Sequence, residues 1–430
     1  MRSRRGSYTV YIVMFFGSMM ILTFAVITAA GNIAISAVTD HFGRLWGTSI
    51  LAEYDRNLKD RYGIFGFYGE TSLIEKKLDV YAVYTFSEKK YIEYGRSSCS
   101  LDSYRLSDPE LIKIQMMEAV LCGSRPHGLL RGADTGNTNS GKAGSAQSEN
   151  GFGYRKITSR WITENLPSAA DRGNWDFTGL VSRIEKGEGL SQLLGTSAVN
   201  QYIFSYFRHN QSTEKLGDTY FKNEIEYILS GKADDEGARK QVRRSLVTMR
   251  NMLNLAYLYS SPEKREAAMT LASVMTPGPE AVLTQGVLME LWAFAEAEND
   301  MRILEAGLPV PLLKRDLNWA LTLENAVNAS SSNSENDTGP SDIDFLAPPE
   351  MDGEEYESYL RVLLTAVPEN TRILRAMDLI QINMKYLYCD YFLLKDYCTG
   401  LDFSLQVNGV KHEFSESYDR SQEETGQLSG

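Results

Sequence analysis

The chain has 430 residues, 43% hydrophobic and 23% charged, with 56 Asp and Glu against 44 Lys and Arg. That is an ordinary globular balance, long enough for two or three structural units. A net charge of -12 argues against nucleic-acid binding, which needs clustered Lys and Arg opposite phosphate.

Arg2, Arg4 and Arg5 precede an uncharged run from Gly6 to Thr39 that ends at Asp40. Val10, Ile12, Phe15, Phe16, Met19, Ile21, Leu22, Phe24, Val26 and Ile27 supply the anchor. Roughly 20 such residues in a helix cross the ~30 Å hydrocarbon core of a bilayer. The basic residues flank the N-terminal side alone. The positive-inside rule therefore leaves the N-terminus cytoplasmic and everything after Asp40 extracellular, in a single-pass cell-membrane protein. The lipid bilayer is the first expected partner. Three fates remain open for the segment: a plain signal anchor, a secretory signal cut near Thr28-Ala29-Ala30-Gly31, or a processed leader.

Beyond the span, Ala37, Leu45, Ile50, Leu51, Tyr54, Leu58 and Tyr62 recur at helical spacing among charged residues. The pattern predicts an amphipathic stalk continuous with the membrane helix and stopped by Gly63. Leu78 to Tyr94 is rich in Val, Tyr, Thr and Phe and reads as strands. Asp108-Pro109 caps a helix that continues through Ile112, Met116 and Ala119. Gly132–Gly151 and Asn328–Asp344 are Gly, Ser, Asn and Asp-rich linkers, expected to be disordered for want of apolar area.

The central part is a predicted helical bundle. Its helices are Tyr220–Leu229, Ala238–Tyr259, a third from Pro262 to Pro277, and Glu280–Leu304. Leu283, Val287, Leu291, Phe294 and Ala295 form the apolar stripe of the last. Helices follow at Tyr356–Val367 and Asn370–Tyr388. Asn408-Gly409 between Phe403–Val407 and Val410–Phe414 then signals a β-hairpin.

The fold class is thus α+β and mostly helical: a transmembrane helix continuing into a stalk, a central bundle, short strands and a C-terminal hairpin. The expected divisions are a basic stub and membrane helix at 1–39, a stalk-proximal α+β part at 40–130 and a linker at 131–151. A central helical domain at 152–327, a second linker at 328–345 and a C-terminal part at 346–430 follow.

Chemistry-bearing motifs are sparse. Cys99, Cys122, Cys389 and Cys398 are candidate disulfides on the oxidising side of a membrane, or small buried apolar residues. Four cysteines allow three pairings, and spacing does not choose among them. His41, His127, His209 and His412 show no zinc-site spacing; His41 lies at the membrane exit and His412 on the surface of the hairpin. No catalytic, cofactor-binding or metal-binding residue is assigned. Glu296 and Asp300, one turn apart, suit a cation or a solvated acidic face. Arg250 and Asn254 are placed to make a buried contact with that acidic helix, and Trp319 is a core anchor.

The segment RRGSYTVYIVMFF resembles the start of tight-adherence (Tad-type) pilin-like proteins: a basic stub, a glycine, a small residue, a Thr-Val pair and a long apolar helix. That resemblance implies cleavage by a prepilin peptidase between Gly6 and Ser7. Tyr11 stands where the family usually has a glutamate. From Ala52 to Phe65 the text AEYDRNLKDRYGIF, then FKNEIEYILSGKADDEGARKQVRRSLVTMRNMLNLAYLYSSPEKREAA and LWAFAEAENDMRILEAGLPVPLLKRDLNWALTLENA, resembles an uncharacterised family of single-span Gram-positive envelope proteins. The likeness implies association with Tad-type pilus or secretion components. The expectation is a non-enzymatic, membrane-anchored assembly protein without a cofactor. A tethered ligand-binding or adhesion module is the alternative, and an envelope hydrolase ranks behind both.

Overall fold

A computed structural model describes residues 5–89, 91–122, 165–170, 177–186, 197–212, 218–331 and 345–418. The fold is α+β and mostly helical. It divides into two compact units: Met1–Lys59 with Phe65–Leu111 and Leu394–Gly430, and Asp60–Ile64 with Ile112–Leu393. The expected linker at 131–151 lies outside the described residues, as does 332–344 of the second linker.

The first unit is built on α1 (Arg5–Leu51), a helix of 47 residues. At 1.5 Å per residue it is about 70 Å long. Every residue from Tyr8 to Ala34 is exposed. Inside this apolar stretch the hydroxyls of Ser18, Thr23 and Thr28 donate back to the carbonyls of Phe15, Met19 and Phe24. These three hydroxyls thus need no water to satisfy them.

The continuous stalk is corrected in two ways. The helix breaks at residues 52–55, where Asp55 Oδ1 accepts from the amides of Asn57 (2.9 Å) and Leu58 (3.1 Å) and caps α2 (Arg56–Tyr62). Gly63, at φ +66°, ends α2 in the left-handed turn its position predicts. Nor does the outer half of α1 stand free, because Trp46, Ile50 and Leu51 are buried in a core.

That core lies against a three-stranded antiparallel sheet ordered β2 (Tyr94–Ser100), β4 (Gly400–Val407), β5 (Val410–Ser417). Leu401, Phe403, Leu405 and Val407 of β4 alternate inward. Asn408 (φ 50°) and Gly409 (φ 78°) make the hairpin turn that the Asn-Gly pair signals. A Cβ on Gly43 would strike the Phe414 ring, and one on Gly47 would come within 2.6 Å of Glu416 Cγ. Two glycines one turn apart thus let α1 lie directly on β5. A smaller pair, β1 (Phe67–Tyr68) and β3 (Tyr397–Cys398), completes the unit.

Three further expectations change here. The stretch read as strands from Leu78 is the end of α3 (Thr71–Phe86). Ile74, Leu78, Ala82 and Phe86 bury one helical face in steps of four, while the β-formers Val80, Val83 and Tyr84 face outward. Packing overrides propensity here. The hairpin pairs with β2 in the N-terminal unit instead of closing a separate C-terminal part. His412 is buried, with Nδ1 2.9 Å from Asp40 Oδ1, because its position on β5 faces α1.

The second unit is helical. It contains α4 (Pro109–Leu121, from Ile112), α5 (Phe177–Glu185), α6 (Ala198–Tyr206), α7 (Glu224–Ser230), α8 (Asp235–Ser260), α9 (Pro262–Met275), α10 (Ala281–Glu305), α11 (Leu323–Ser331), α12 (Tyr356–Leu364) and α13 (Glu369–Leu387). Asp234 caps α8 by accepting from Gly237 N at 2.6 Å, and Ser261 with Pro262 starts α9. Leu258, Ala268, Ala272, Leu288, Met289, Trp292 and Trp319 share one core. The stripe expected on α10 is only partly the buried face: Leu291 and Ala295 are half-buried against the core. Leu283, Val287 and Phe294 are exposed, while Leu288, Met289, Trp292 and Ala293 point inward.

Candidate functional site

Among the described residues the carboxylates of α10 form the densest polar cluster; the cation and solvated-face readings of Glu296 and Asp300 fail, while the buried contact expected from Arg250 and Asn254 is made. Glu296 and Asp300 are fully buried, so the face is not solvated. The cations they meet are side chains. Arg250 of α8, itself 0% exposed, donates from Nε (3.1 Å) and Nη2 (2.9 Å) to Asp300 Oδ2. Lys314 Nζ lies 2.6 Å from Asp300 Oδ1 and also contacts Glu296 Oε1. Two positive and two negative charges therefore cancel inside the unit.

The chain after α10 explains the geometry. Gly307, at φ 77°, turns it back, and the chain passes Pro309 and Pro311 and bends at 312–313 before Lys314. The carbonyls of Pro311 and Leu312 accept from Arg250 Nη1 at 3.0 and 2.7 Å. The Glu296 carboxylate accepts the amides of Ala320 and Leu321, each at 2.9 Å. Asn254 bridges Arg250 and Asp300, and Tyr359 of α12 donates to Val310 O at 3.0 Å. Gly353 (φ +127°) lies against Pro311 so tightly that a Cβ would overlap its backbone. The cluster thus ties α8, α10, α12 and the 310–321 segment together.

Burial pushes the Glu296 carboxyl up, opposed by Lys314 and the two amides. Burial likewise raises the Tyr359 phenol above its ordinary range. Both carboxylates face fixed donors, and through them the arrangement holds the backbone of the 310–321 segment in place. The sequence located Arg250, Asn254, Glu296 and Asp300; it missed Lys314 and Tyr359. The prolines before Lys314 were the available signal for a chain returning to the acidic helix.

Similar polar clusters recur in this unit. Asp378 accepts from Ser168 N (2.9 Å), Ser168 Oγ and Tyr227 Oη (2.8 Å), and burial raises its carboxyl to about 6. Glu224 accepts from Asn383 Nδ2 (2.6 Å) and Arg208 N (3.1 Å), also raised by burial to about 6. Among the described residues no group of three His, Cys, Asp or Glu side chains is arranged to hold a metal ion. A groove of about 480 Å³ opens beside α10, lined by Leu291, Phe294, Asn299, Arg302, Ala326 and Leu346.

The remaining candidates separate. The anchor residues Val10 to Ile27 all lie exposed on α1. Gly6 and Ser7 fall within α1. Cys99, Cys122, Cys389 and Cys398 are free thiols. Burial pushes Cys99 up to about 12 and Cys398 to about 11. His41 is exposed, and His127 lies outside the described residues.

A membrane-compatible helix built into one unit, and a second unit whose core is held by buried ion pairs, define a class of architecture, not an activity. The chain belongs to the family of unknown function DUF5702, whose model matches residues 153–409. No curated protein and no solved structure matches it. Its one helix long and apolar enough to cross a membrane, among the described residues, lies near the N-terminus and is compatible with a single-pass anchor.

Proposed function

We propose that this is a membrane-anchored, extracytoplasmic structural or assembly protein, a pilin-like component that works with a Tad-type pilus or secretion system. The observation that carries the reading is α1: an apolar surface exposed from Tyr8 to Ala34, running without a break into the core of the first unit at Trp46 and Ile50. A helix shared in this way transmits the position of the anchor to the folded part. The basic stub at Arg2, Arg4 and Arg5 supports a cytoplasmic N-terminus. Its partners are the bilayer, Tad-type components and, if the leader is processed, a prepilin peptidase acting at Gly6–Ser7. The fully paired carboxylates of α10 favour a scaffolding role over catalysis.

Protease added outside intact cells tests the topology. Digestion of everything after Asp40 is expected, and full protection would overturn the reading. Mass spectrometry of the mature N-terminus tests the processing: a start at Ser7 is the pilin-type outcome, and an intact stub refutes it. A tethered ligand-binding module is the second reading, favoured by the groove beside α10 with its apolar wall of Leu291, Phe294 and Leu346.

A further inference from the structure

The relation between α1 and the sheet fixes where the base of the first unit sits along the anchor. Three contacts set a register: Asp40 against His412, Gly43 against Phe414 and Gly47 against Glu416. Strand and helix ascend together. Two strand residues rise about 6.6 Å and four helical residues about 6 Å, so the two keep step. Continued downward, the register brings Val410 level with Ser36 and the turn at Asn408-Gly409 level with Asn32.

Ile27 is the last large apolar residue before that level, and Asn32 lies five positions further along the helix. That gap is about 7.5 Å. A bilayer of ~40–45 Å with a hydrocarbon core of ~30 Å leaves roughly 5–8 Å of headgroup on each side. The turn therefore falls within the headgroup layer whenever the span occupies the hydrocarbon. No free stalk lifts the unit away, because α1 begins to pack against its own domain at Ile35.

The side chains at this tip suit that layer. Tyr91 is 64% exposed and Val410 57% exposed. Asn408 Nδ2 donates to Tyr91 O at 3.1 Å, and its Oδ1 accepts from Glu93 N at 2.6 Å, so the 91–93 segment and the turn form one edge. Over 88–93 and 410–413 the sequence sets Lys89, Lys90 and Lys411 against Glu88, Glu93 and Glu413, a net of zero, and Lys411 pairs with Glu413 at 2.6 Å. An exposed tyrosine and valine on a neutral edge fit a zwitterionic interface better than an anionic surface.

We propose that the hairpin tip and Tyr91 form a second membrane contact, docking the base of the first unit into the outer headgroup layer and fixing the ectodomain's orientation. The proposal rests on the anchor reading above and adds to it a lipid-contact site on the folded part.

The test uses the full chain in phosphatidylcholine vesicles, with the photo-crosslinker p-benzoylphenylalanine placed at Phe16, Tyr91 or Tyr68 in turn. All three positions are exposed. Tyr68 pairs with Tyr397, beyond the end of β4 opposite the turn, and serves as the distal control. Lipid adducts are expected at 16 and 91 and lost at 68. Adducts at 16 with position 91 no better than 68 would overturn the docking and leave the anchor standing. No adduct at 16 would overturn both.

Discussion

The two units solve the same packing problem with different materials. The first buries aromatic and aliphatic side chains, Trp46, Phe67, Phe86 and Phe403 among them, and its buried polar residues among those described are Thr39, Thr399 and His412. The second buries Glu224, Glu226, Asp235, Arg250, Glu296, Asp300, Lys314 and Asp378. An apolar core tolerates many near-equivalent packings, whereas a buried ion demands one partner geometry. The unit that carries most of the family match thus has its arrangement specified by charge, and the anchor-bearing unit by shape.

The largest expected effect tests that division directly. Arg250→Met leaves Asp300 in the core with Lys314 and Asn254 as its remaining partners, and breaking a buried pair from one side costs about 3–5 kcal/mol. Denaturant unfolding of the full chain, followed by hydrogen exchange, should localise the loss to α8, α10 and the 310–321 segment. Equal loss of protection in β4 and β5 would break the contrast between the units. Adding Asp300→Leu should recover much of the loss, since an apolar replacement no longer strands a charge.

A second test exploits pH. Asp378 ionises near 3.8 when unfolded, yet burial raises its carboxyl to about 6 in the fold. Between those values the folded chain holds the proton and the unfolded chain has released it. Stability therefore falls as pH rises through that window and levels off above it. About two pKa units correspond to about 3 kcal/mol. Glu224, raised from 4.5 to about 6, adds in the same direction. Asp378→Asn keeps an acceptor for the Ser168 amide and removes its part of the slope. Unfolding midpoints at mildly acidic and neutral pH should lie closer together in the variant, with Glu224 supplying the difference that stays. An unchanged slope would show that this carboxyl does not carry it.

The first unit should respond to volume instead. Gly43→Leu drives a side chain into the Phe414 ring and pries α1 from β5, at the roughly 1–3 kcal/mol typical of overpacking. The loss should be seen as faster exchange in β5 and be insensitive to pH across the carboxylate range.

Legibility followed the same divide. Strong local signals read correctly: the apolar run of α1, Asn408-Gly409, Asp108-Pro109, Gly63 closing α2, and the long helices from Asp235 to Glu305. What failed depended on distant partners. Leu78–Phe86 carries β-forming residues, and only the sheet and α1 packed against it make Ile74, Leu78 and Ala82 the face that matters. On α10 the larger aliphatics Leu283 and Val287 drew the eye, but the inward face holds Ala293, Glu296 and Asp300 because Lys314 and Arg250 neutralise it. Two carboxylates one turn apart look solvated until a lysine fourteen residues further along, past two prolines, is known to return. His412 changed sides for the same reason, since its environment is Asp40, 372 residues earlier.

The smallest effect concerns the turn that closes the apolar unit. Gly409 sits at φ 78° with open space around it, so Gly409→Ala meets no steric neighbour and feels backbone strain alone. A non-glycine residue in the left-handed region costs roughly 1–2 kcal/mol. The strain should appear as local fraying of β4–β5 near Val407 and Val410, read as faster amide exchange there with no change around Arg250. Gly409→Asn should recover part of the loss, because asparagine tolerates that conformation better than alanine. Matching loss in both variants would mean that space at the turn matters more than backbone angle. The hairpin tip would then be a crowded contact and not the open edge that a headgroup layer requires.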